Sequence, residues 1–449
     1  MNFKPKNVPL LKRKLGFWHV YFICVGLVIC SGESLVVARG FGSIGLNFVL
    51  SMLIGFAAMS LVVYSLSRWI RILPKAESIG GYVEMGFGPY AGVLVALLYW
   101  LQYLFWVSAE IVIVSDIVNS FLPTAPWTMI VIALLTLFAA VNLIGILEVG
   151  ISQIAMGAFM IVSSVATAMI VLGGLGSSSF DGSRLTGLNV NFNAIAFYTP
   201  LATWLYVGTE AAGPVSEETK DSGKKAFRVM MLSLLTIFST QALLGLAWLG
   251  TCPQRILVDS PFPHIVAAQE IFGGLGVTWW AIVSLVATGS TMNAAYTVTS
   301  RVIFGLARKG HLPKALSSLH PSYATPWSVI TVTYVLYLVL CLLIPLPLWL
   351  IEISTALYLV VYTLVMLSLV AYARRKKHAG KGSNVHTQDA LVSAAGSALL
   401  VALLALQFFA DATVLLVSGA VIIASAILIA IHRWKARFMK VATREAGIS

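Results

Sequence analysis

Long apolar runs separated by short polar segments dominate the chain. A helix needs about 20 mostly apolar residues to cross the hydrocarbon core of a bilayer, and twelve runs are long enough. These runs are 17–38, 46–68, 89–118, 127–147, 152–174, 194–214, 228–250, 276–306, 326–345, 348–373, 388–410 and 413–432. The pattern therefore predicts an all-α integral membrane protein with twelve transmembrane helices. The last two runs are divided only by the short interruption at Asp411.

Basic residues are distributed very unevenly between the two sides of this arrangement. If the N-terminus is inside, all of the 29 Lys and Arg residues except Arg39, Arg184 and Arg255 lie in cytoplasmic segments. Cytoplasmic loops of membrane proteins carry such an excess. The sequence thus predicts a multi-pass protein of the cytoplasmic (inner) membrane with both termini in the cytoplasm. The same distribution accounts for the net charge of +12 without a nucleic-acid partner.

Composition narrows the function classes. Hydrophobic residues make up 59% of the chain and charged residues 10%, against about 45–50% and about 25% in soluble domains. This excess excludes a soluble enzyme, a disordered chain and a fibrous repeat. The four Cys and seven His residues lack metal-ligand spacing, so neither a metal nor another cofactor is expected. A polytopic membrane enzyme stays open as an alternative class, as does a channel.

Four carboxylates lie within the predicted spans, namely Glu33, Glu110, Glu210 and Glu352. An ionised side chain at the bilayer centre costs about 3 kcal/mol or more, so such residues usually face a cavity and mark a transport pathway. No Lys or Arg lies deep in any predicted span. The balancing positive charge is therefore expected to be mobile: a proton, a sodium ion or a cationic substrate. Glu352 is near the end of its span, where it could simply be interfacial.

One helical face of the third predicted span carries three polar or aromatic residues. Gln102, Trp106 and Glu110 follow one another at intervals of four residues, and residues four apart lie on the same face of an α-helix. Two interpretations are open for this stripe. It is either a hydrogen-bonded cluster between helices or one wall of a cavity.

The first and sixth predicted spans contain small and polar residues at mid-depth. Residues 26–34 combine glycines with Cys30, Ser31 and Glu33, and residues 204–214 combine glycines with Glu210 and a Gly-Pro pair. Each span begins one of two five-span halves. Interrupted spans at corresponding positions of two halves point to the binding site of a transporter. The alternative is a pair of small-residue packing faces.

Three groups of residues follow patterns that one family of membrane proteins shares. The first span carries Cys30-Ser31-Gly32, where that family has Gly-Ser-Gly or a near variant. The sixth span and the loop after it hold the family spacing with Tyr206, Gly208, Glu210, Glu217 and Glu218. The end of the eighth span matches a further signature with Ser300, Arg301, Ala307, Arg308, Gly310, Leu312 and Pro313. From Arg13 to about Lys377, the chain thus resembles the amino acid–polyamine–organocation (APC) superfamily of permeases, and in particular amino acid permeases.

The resemblance implies a LeuT-like 5+5 inverted repeat with broken helices one and six. The first five-helix repeat is then expected at 17–174 and the second, inverted repeat at 194–373. Two additional C-terminal helices follow at 388–432, and the cytoplasmic segments are 1–16 and 433–449. In such a fold the substrate lies between the unwound middles of helices one and six.

The same resemblance, together with the stripe on the third span, gives the expected substrate-binding residues. They are Cys30, Ser31, Gly32, Glu33, Gln102, Trp106, Trp204, Tyr206 and Gly208. The backbone around Cys30–Ser34 is expected at one end of the substrate and Tyr206–Gly208 at its amine. Trp204 stands where some family members have an aromatic gate, although packing is an equally open role.

The residues that couple transport to an ion are expected to differ from those of many relatives. Proton-coupled members often carry a Lys in the fifth span, whereas the nearest matching position here is Met160. The expected proton carriers are therefore the acids Glu33, Glu110 and Glu210. Sodium is the alternative, because the hydroxyls of Ser290 and Thr291 could face carbonyls of the first span.

These observations predict a secondary active transporter rather than an enzyme. We expect it to move amino acids or related organic amines by alternating access, coupled to protons. An ionised Glu33 would repel a carboxylate and so favours cationic substrates, whereas a protonated Glu33 leaves both substrate classes open. A sodium-coupled symporter and an amine or amino acid exchanger remain alternatives within this class. Two interpretations are open for the acidic pair Glu217-Glu218, near Lys224 and Lys225: an inner ionic latch or a solvated run of charges.

Overall fold

The computed structural model describes residues 11, 13–175, 180–186, 189–378 and 385–445, with the side chains of all of them except 146–148, 410, 428 and 431–445. This part of the chain is helical, and its only β-type pairing is an isolated bridge between Leu15 and Thr219. The helices are α1 (Phe17–Val28), α2 (Ser31–Ile44), α3 (Asn47–Ile72), α4 (Ser78–Phe87), α5 (Pro89–Phe121), α6 (Trp127–Ile144), α7 (Ile146–Leu172), α8 (Phe192–Trp204), α9 (Ser222–Thr251), α10 (Gln254–Asp259), α11 (Pro263–Arg308), α12 (Trp327–Leu343), α13 (Pro347–His378), α14 (Thr387–Ala410) and α15 (Ala412–Glu445).

Eight of the described helices are long and apolar enough to cross a membrane, and the bent pair α1–α2 makes nine if it counts as one span. The long helices are α3, α5, α6, α7, α9, α11, α13 and α14. Helices α12 and the start of α15 are apolar but shorter, and the sixth predicted span is reduced to the 13 residues of α8. The protein is therefore a polytopic all-α membrane protein, although fewer helices than the predicted twelve are long enough to span on their own.

The first predicted span breaks into α1 and α2, which are bent by 56° relative to each other. Ile29 and Cys30 have extended backbone angles, and the thiol of Cys30 accepts a hydrogen bond (3.3 Å) from the amide of Glu33. This interaction caps the new helix, as N-cap side chains generally do. The break thus lies just before the small residues Ser31 and Gly32, which belong to α2.

A second break follows α8. The helix ends at Trp204, and the chain continues through Gly208, whose φ is +113°, into a short 3₁₀ turn at Thr209–Ala212. Such a backbone conformation favours glycine because it has no side chain. A Cβ at Gly208 would lie 2.9 Å from Val28 and 3.0 Å from Leu27. The two breaks are therefore in direct contact.

Helix α5 forms the centre of the bundle beside these breaks. In the most apolar 18-residue stretch of α5, 83% of the residues are buried inside the protein, against 22% in the corresponding stretch of α6. Helix α5 packs against α4, α11 and α13. The stripe of Gln102, Trp106 and Glu110 is fully buried or nearly so, which places it inside the protein and not against lipid.

Two predicted spans have different limits in the structure. Helix α11 begins at Pro263 rather than at 276, because a short helical piece precedes the span and joins it through Gly273, which has a φ of +62°. Helix α15 continues to Glu445, since residues 433–445 contain neither Gly nor Pro to end it. Residues 1–10 and 12 of the predicted segment 1–16, the loop lysine Lys381 and residues 446–449 of the predicted tail lie outside the described residues.

Candidate functional site

The N-terminus of α2 is capped by a carboxylate from another helix. The amide of Gly32 donates to both oxygens of Glu110, at 3.0 Å to Oε1 and 3.2 Å to Oε2. Amides at a helix N-terminus point outward and attract negative charge. A Cβ on Gly32 would lie 2.2 Å from Oε1 of Glu110, so a larger residue at this position would force the carboxylate to shift. Glu110 therefore sits directly on the first turn of α2.

A polar seam connects this cap to α11. The hydroxyl of Ser31 bonds the hydroxyl of Thr288 at 3.1 Å and donates to the carbonyl of Ser284 at 3.1 Å. Thr288 in turn donates to Oε2 of Glu110 at 3.4 Å. Nothing in the sequence singles out Thr288, since a lone Thr in an apolar helix carries no distinct signal. The first turn of α2 is thus fixed from both α5 and α11.

Glu33 is buried beside this cap and is only half satisfied. Its Oε2 accepts a hydrogen bond from Nε2 of Gln241 on α9 at 2.8 Å, and its Oε1 has no hydrogen-bond partner among the described residues. The side chains of Glu33 and Glu110 are close enough to interact electrostatically. A buried acceptor without a partner has lost its hydration without compensation. Glu33 is therefore the carboxylate best placed to receive a ligand or a proton.

Both carboxylate oxygens of Glu210 accept hydrogen bonds. Its Oε1 accepts hydrogen bonds from Tyr99 at 3.0 Å and Tyr103 at 2.7 Å, and its Oε2 accepts from the amide of Gly208 at 2.7 Å. These contacts tie the broken stretch after α8 to α5. The arrangement stabilises the backbone of the second break.

Aromatic side chains form a wall between α5 and α8. Trp106 meets Trp204 edge to face with ring centroids 5.7 Å apart and packs against Tyr103 at 5.4 Å. The indole nitrogens of Trp106 and Trp204, and both side-chain polar atoms of Gln102, are buried without hydrogen-bond partners among the described residues. Buried polar groups of this kind are rare in native proteins. The wall thus presents unused donors and acceptors in the protein interior.

Tyr206 is oriented differently from the other expected binding residues. Its hydroxyl donates to the carbonyl of Met52 on α3 at 3.0 Å, and its ring packs edge-on against Phe56. The structure therefore brings together Cys30, Ser31, Gly32 and Glu110 through direct contacts, and Trp106 with Trp204. It turns the hydroxyl of Tyr206 towards α3.

The span-eight hydroxyls do meet the first span, but only one of them faces its carbonyls. Thr291 donates to the carbonyls of Leu27 at 3.1 Å and Gly26 at 3.4 Å. Ser290 instead donates to Oε1 of Gln153 at 2.5 Å, while Nε2 of Gln153 donates to the Ser290 carbonyl at 2.7 Å. Gln153 on α7, which the sequence analysis missed, is thus the polar group that fills this junction.

The predicted latch has different partners from those expected. Glu217 pairs with Arg308 at 2.8 Å and Glu218 with Arg301 at 3.0 Å, both on α11, whereas Lys225 pairs with Asp221. The prediction of Lys224 and Lys225 as partners is wrong, because Asp221 has a left-handed backbone (φ 55°) and starts α9 there. The latch therefore links the loop after the second break to the end of α11.

Two further contacts strengthen this end of the bundle. The amide of Ala76 donates to Glu217 at 3.0 Å, and the backbone of Leu15 pairs with Glu218 and Lys220 at 3.0 and 2.9 Å. Burial raises the pKa of Glu217, but its hydrogen bonds from Arg308 and Ala76 outweigh burial and hold the pKa below its ordinary value. Glu217 is thus ionised at neutral pH.

The ion pairs found among the described residues leave out the central acids. They lie in loops and near helix ends, and none includes Glu33, Glu110 or Glu210. Glu352 belongs elsewhere, because it lines a separate cavity of about 330 Å³ together with Arg39 and Asp411. The centre therefore combines three buried carboxylates with no fixed cation in the described part of the chain.

Broken helices that meet around buried polar groups define a polytopic helical membrane protein of the transporter class. Comparison with known families agrees. The family model described as "Amino acid permease" matches residues 15–432, which is nearly the whole chain. The protein belongs to this amino acid permease family of the APC superfamily.

Similar proteins carry transporter names. The chain is 28% identical to the aromatic amino acid transport protein AroP of Escherichia coli over 69% of each chain. It is 23% identical to the D-serine/D-alanine/glycine transporter of Escherichia coli over 82% of each chain. It is also 23% identical to a probable GABA permease of Pseudomonas aeruginosa, over 71% of this chain and 70% of that protein. Family and names point to a transporter and not to an enzyme.

Proposed function

We propose that this protein is a secondary active transporter that moves amino acids or related organic amines across the cytoplasmic membrane by alternating access. The observation that carries the proposal is the contact between the two helix breaks beside buried carboxylates, at Gly208, Leu27 and Val28. Discontinuous helices expose backbone groups and polar side chains at mid-membrane, where transporters bind their substrates. The family and the names of the relatives support the same class.

The proposed architecture is a LeuT-like 5+5 inverted repeat with twelve spans. The repeats are 17–174 and 194–373, followed by two additional helices at 388–432. The positions of the two breaks, each at the start of a half, support this division. The concentration of basic residues at the latch end supports a cytoplasmic location of that end and of both termini.

The proposed substrates carry a positive charge. Glu33, Glu110 and Glu210 are buried without an ion-pair partner among the described residues, and uncompensated buried charge is unfavourable. A substrate ammonium group would restore neutrality when it enters. The names of the relatives specify amino acids, all of which contain an amino group.

Protons are the proposed coupling ions, and Glu33 is the first-choice carrier. Its Oε1 is free to be protonated, whereas each oxygen of Glu110 and Glu210 already accepts a hydrogen bond. A sodium site at Ser290 and Thr291 is the second candidate. Thr291 faces the carbonyls of Gly26 and Leu27, but Ser290 is occupied by Gln153. Exchange of amines or amino acids without a coupling ion is a further alternative within the class.

Alternating access requires the latch to open and close. With Glu217–Arg308 and Glu218–Arg301 paired, the loop after the second break is locked to α11. Neutralisation of the central acids by substrate and proton would lower the cost of occluding them. Spans one, two, six and seven would then move against the others, and the latch would release the site to the cytoplasm.

Uptake into proteoliposomes tests this proposal. Radiolabelled amines and amino acids are offered under a proton gradient and, separately, under a sodium gradient. We expect accumulation that collapses when a protonophore is added and that is lost in Glu33→Gln. Asp116→Asn is the matched control, since Asp116 lies on α5 and contacts Trp127 outside the site. Uptake of no compound under either gradient would refute the proposed function.

A further inference from the structure

We infer that Glu110 permanently fills, with its own carboxylate, the place at the start of α2 that a ligand carboxylate would take, so that the ligand is an organic amine without a carboxylate. This inference rests on the proposed function and specifies its substrate class. It concerns the same broken helices but assigns Glu110 a role in specificity rather than in proton carriage.

Three amides in the first turn of α2, those of Gly32, Glu33 and Ser34, already have acceptors within the protein. Gly32 donates to Glu110 through its amide, Glu33 donates to the thiol of Cys30, and Ser34 donates to the carbonyl of Cys30 at 3.2 Å. Anions bind at helix N-termini through such amides. Here the anion is supplied by the protein, and a ligand carboxylate could reach the amide of Gly32 only by displacing Glu110.

Displacement of Glu110 is strongly unfavourable. Its carboxylate is fully buried and also accepts a hydrogen bond from Thr288, so its removal from the amide would leave a buried charge with few partners. An incoming ligand carboxylate would in addition approach the buried acid Glu33, which directly follows Gly32 in the first turn of α2. A third negative charge at this point raises the electrostatic penalty further.

The groups that remain unused fit an amine. Oε1 of Glu33 is a buried acceptor without a partner among the described residues, and an ammonium group supplies both the donor and the compensating charge. Trp106 lies one turn before Glu110 on α5 and packs against Trp204, and aromatic faces attract organic cations. Gln102 contributes a free amide on the same face of α5. These groups recognise a primary amine on an apolar or cationic body.

Matched ligand pairs test the inference in the full-length protein. The pairs agmatine and arginine, cadaverine and lysine, isopentylamine and leucine, and phenethylamine and phenylalanine each differ only by the α-carboxylate. Each compound is titrated against the protein in nanodiscs, and affinity is obtained from the rise in unfolding temperature that a bound ligand causes. Glu110→Ala, Glu110→Gln and the control Asp116→Asn are measured beside the unaltered protein.

We expect the unaltered protein to bind the amine of at least one pair at least about tenfold more tightly than its amino acid, the scale of one charged hydrogen bond. Glu110→Ala vacates the amide of Gly32 and should shift this ratio by about tenfold towards the amino acid. Glu110→Gln should shift it in the same direction and covers the case in which the Ala variant does not fold. Asp116→Asn should leave the ratio unchanged.

Three results would overturn the inference. A preference of the unaltered protein for amino acids would contradict it while leaving the proposed function intact. An unchanged ratio in both Glu110 variants would show that Glu110 does not set the selectivity. Absence of binding by both members of every pair, together with absence of uptake, would contradict the inference and the proposed function alike.

Discussion

The contact between Gly32 and Glu110 can be tested without any knowledge of the substrate. In Gly32→Ala the new Cβ would lie 2.2 Å from Oε1 of Glu110, so this oxygen has to retreat by about 1.2 Å or more to reach ordinary contact distance. The hydrogen bonds of 3.0 and 3.2 Å from the Gly32 amide would then exceed bonding distance. Hydrogen bonds to charged groups contribute about 1.5–3 kcal/mol, and we expect a loss of about 2 kcal/mol in the free energy of unfolding.

The same substitution should be nearly neutral when Glu110 is already absent. In Glu110→Ala the clash disappears, and the nearest remaining side-chain neighbour of the new Cβ is Ile351 at 3.3 Å. The four proteins of the double-mutant cycle are unfolded by SDS titration and followed by tryptophan fluorescence. The expected coupling is about 2 kcal/mol, well above the scatter of independent sites.

Gly419→Ala is the matched control, because its Cβ would meet nothing within 4 Å on helix α15. It should be neutral or slightly stabilising in both backgrounds. If Gly32→Ala lowers the free energy of unfolding equally with and without Glu110, the account is refuted, since Glu110 would then not cap α2.

Three further predictions concern the latch and the second break. Glu218→Gln leaves Arg301 buried without its ion-pair partner, and both side chains are 3% exposed or less. Thermal unfolding should therefore show that the free energy of unfolding falls by about 3 kcal/mol. The double variant Glu218→Met with Arg301→Met should largely restore it. The pKa of Glu217 is held below its ordinary value of 4.5, so its stabilisation is complete above pH 4.5 and is lost as the pH falls through the lowered pKa. The deficit of Glu217→Gln relative to the unaltered protein, measured by unfolding at several pH values, should therefore be largest at neutral pH and vanish in strong acid; a deficit independent of pH would contradict the ion pair. Gly208→Ala combines a φ of +113° with a Cβ 2.9 Å from Val28, so it should cost about 2 kcal/mol or more and abolish uptake; normal uptake would contradict the close contact of the two breaks.

Features that depend on local sequence were predictable. The apolar run 89–118 corresponds closely to α5, which spans Pro89–Phe121, because length and hydropathy decide whether a segment is a spanning helix. The interruption at Cys30 was visible as small and polar residues within an apolar run. The common face of Gln102, Trp106 and Glu110 followed from helical periodicity alone.

Features that depend on packing between distant helices were not predictable. Gly32 and Glu110 are 78 residues apart, and Glu33 and Gln241 are 208 apart. Along the sequence, Glu33 is the acid nearest to the first-span amides. In the structure the amide of Gly32 donates to Glu110, and the carboxylate of Glu33 accepts a hydrogen bond from Gln241.

The ion-pair partners of Glu217 and Glu218 were likewise not predictable from the sequence. Lys224 and Lys225 are near Glu217 and Glu218 in sequence, but proximity along the chain says little when a helix starts between them. The actual partners, Arg301 and Arg308, are on α11. Both arginines belong to the motif at the end of the eighth span, but their pairing with Glu217 and Glu218 depends on how distant helices pack.

A structure of the protein with a bound amine from the preferred matched pair would test the central claim most directly. The account predicts the ammonium group within hydrogen-bonding distance of Oε1 of Glu33, the ligand body against Trp106 and Trp204, and Glu110 still bonded to the amide of Gly32. A ligand bound away from the two helix breaks would contradict the account. So would an amino acid whose carboxylate sits on the amide of Gly32 with Glu110 displaced.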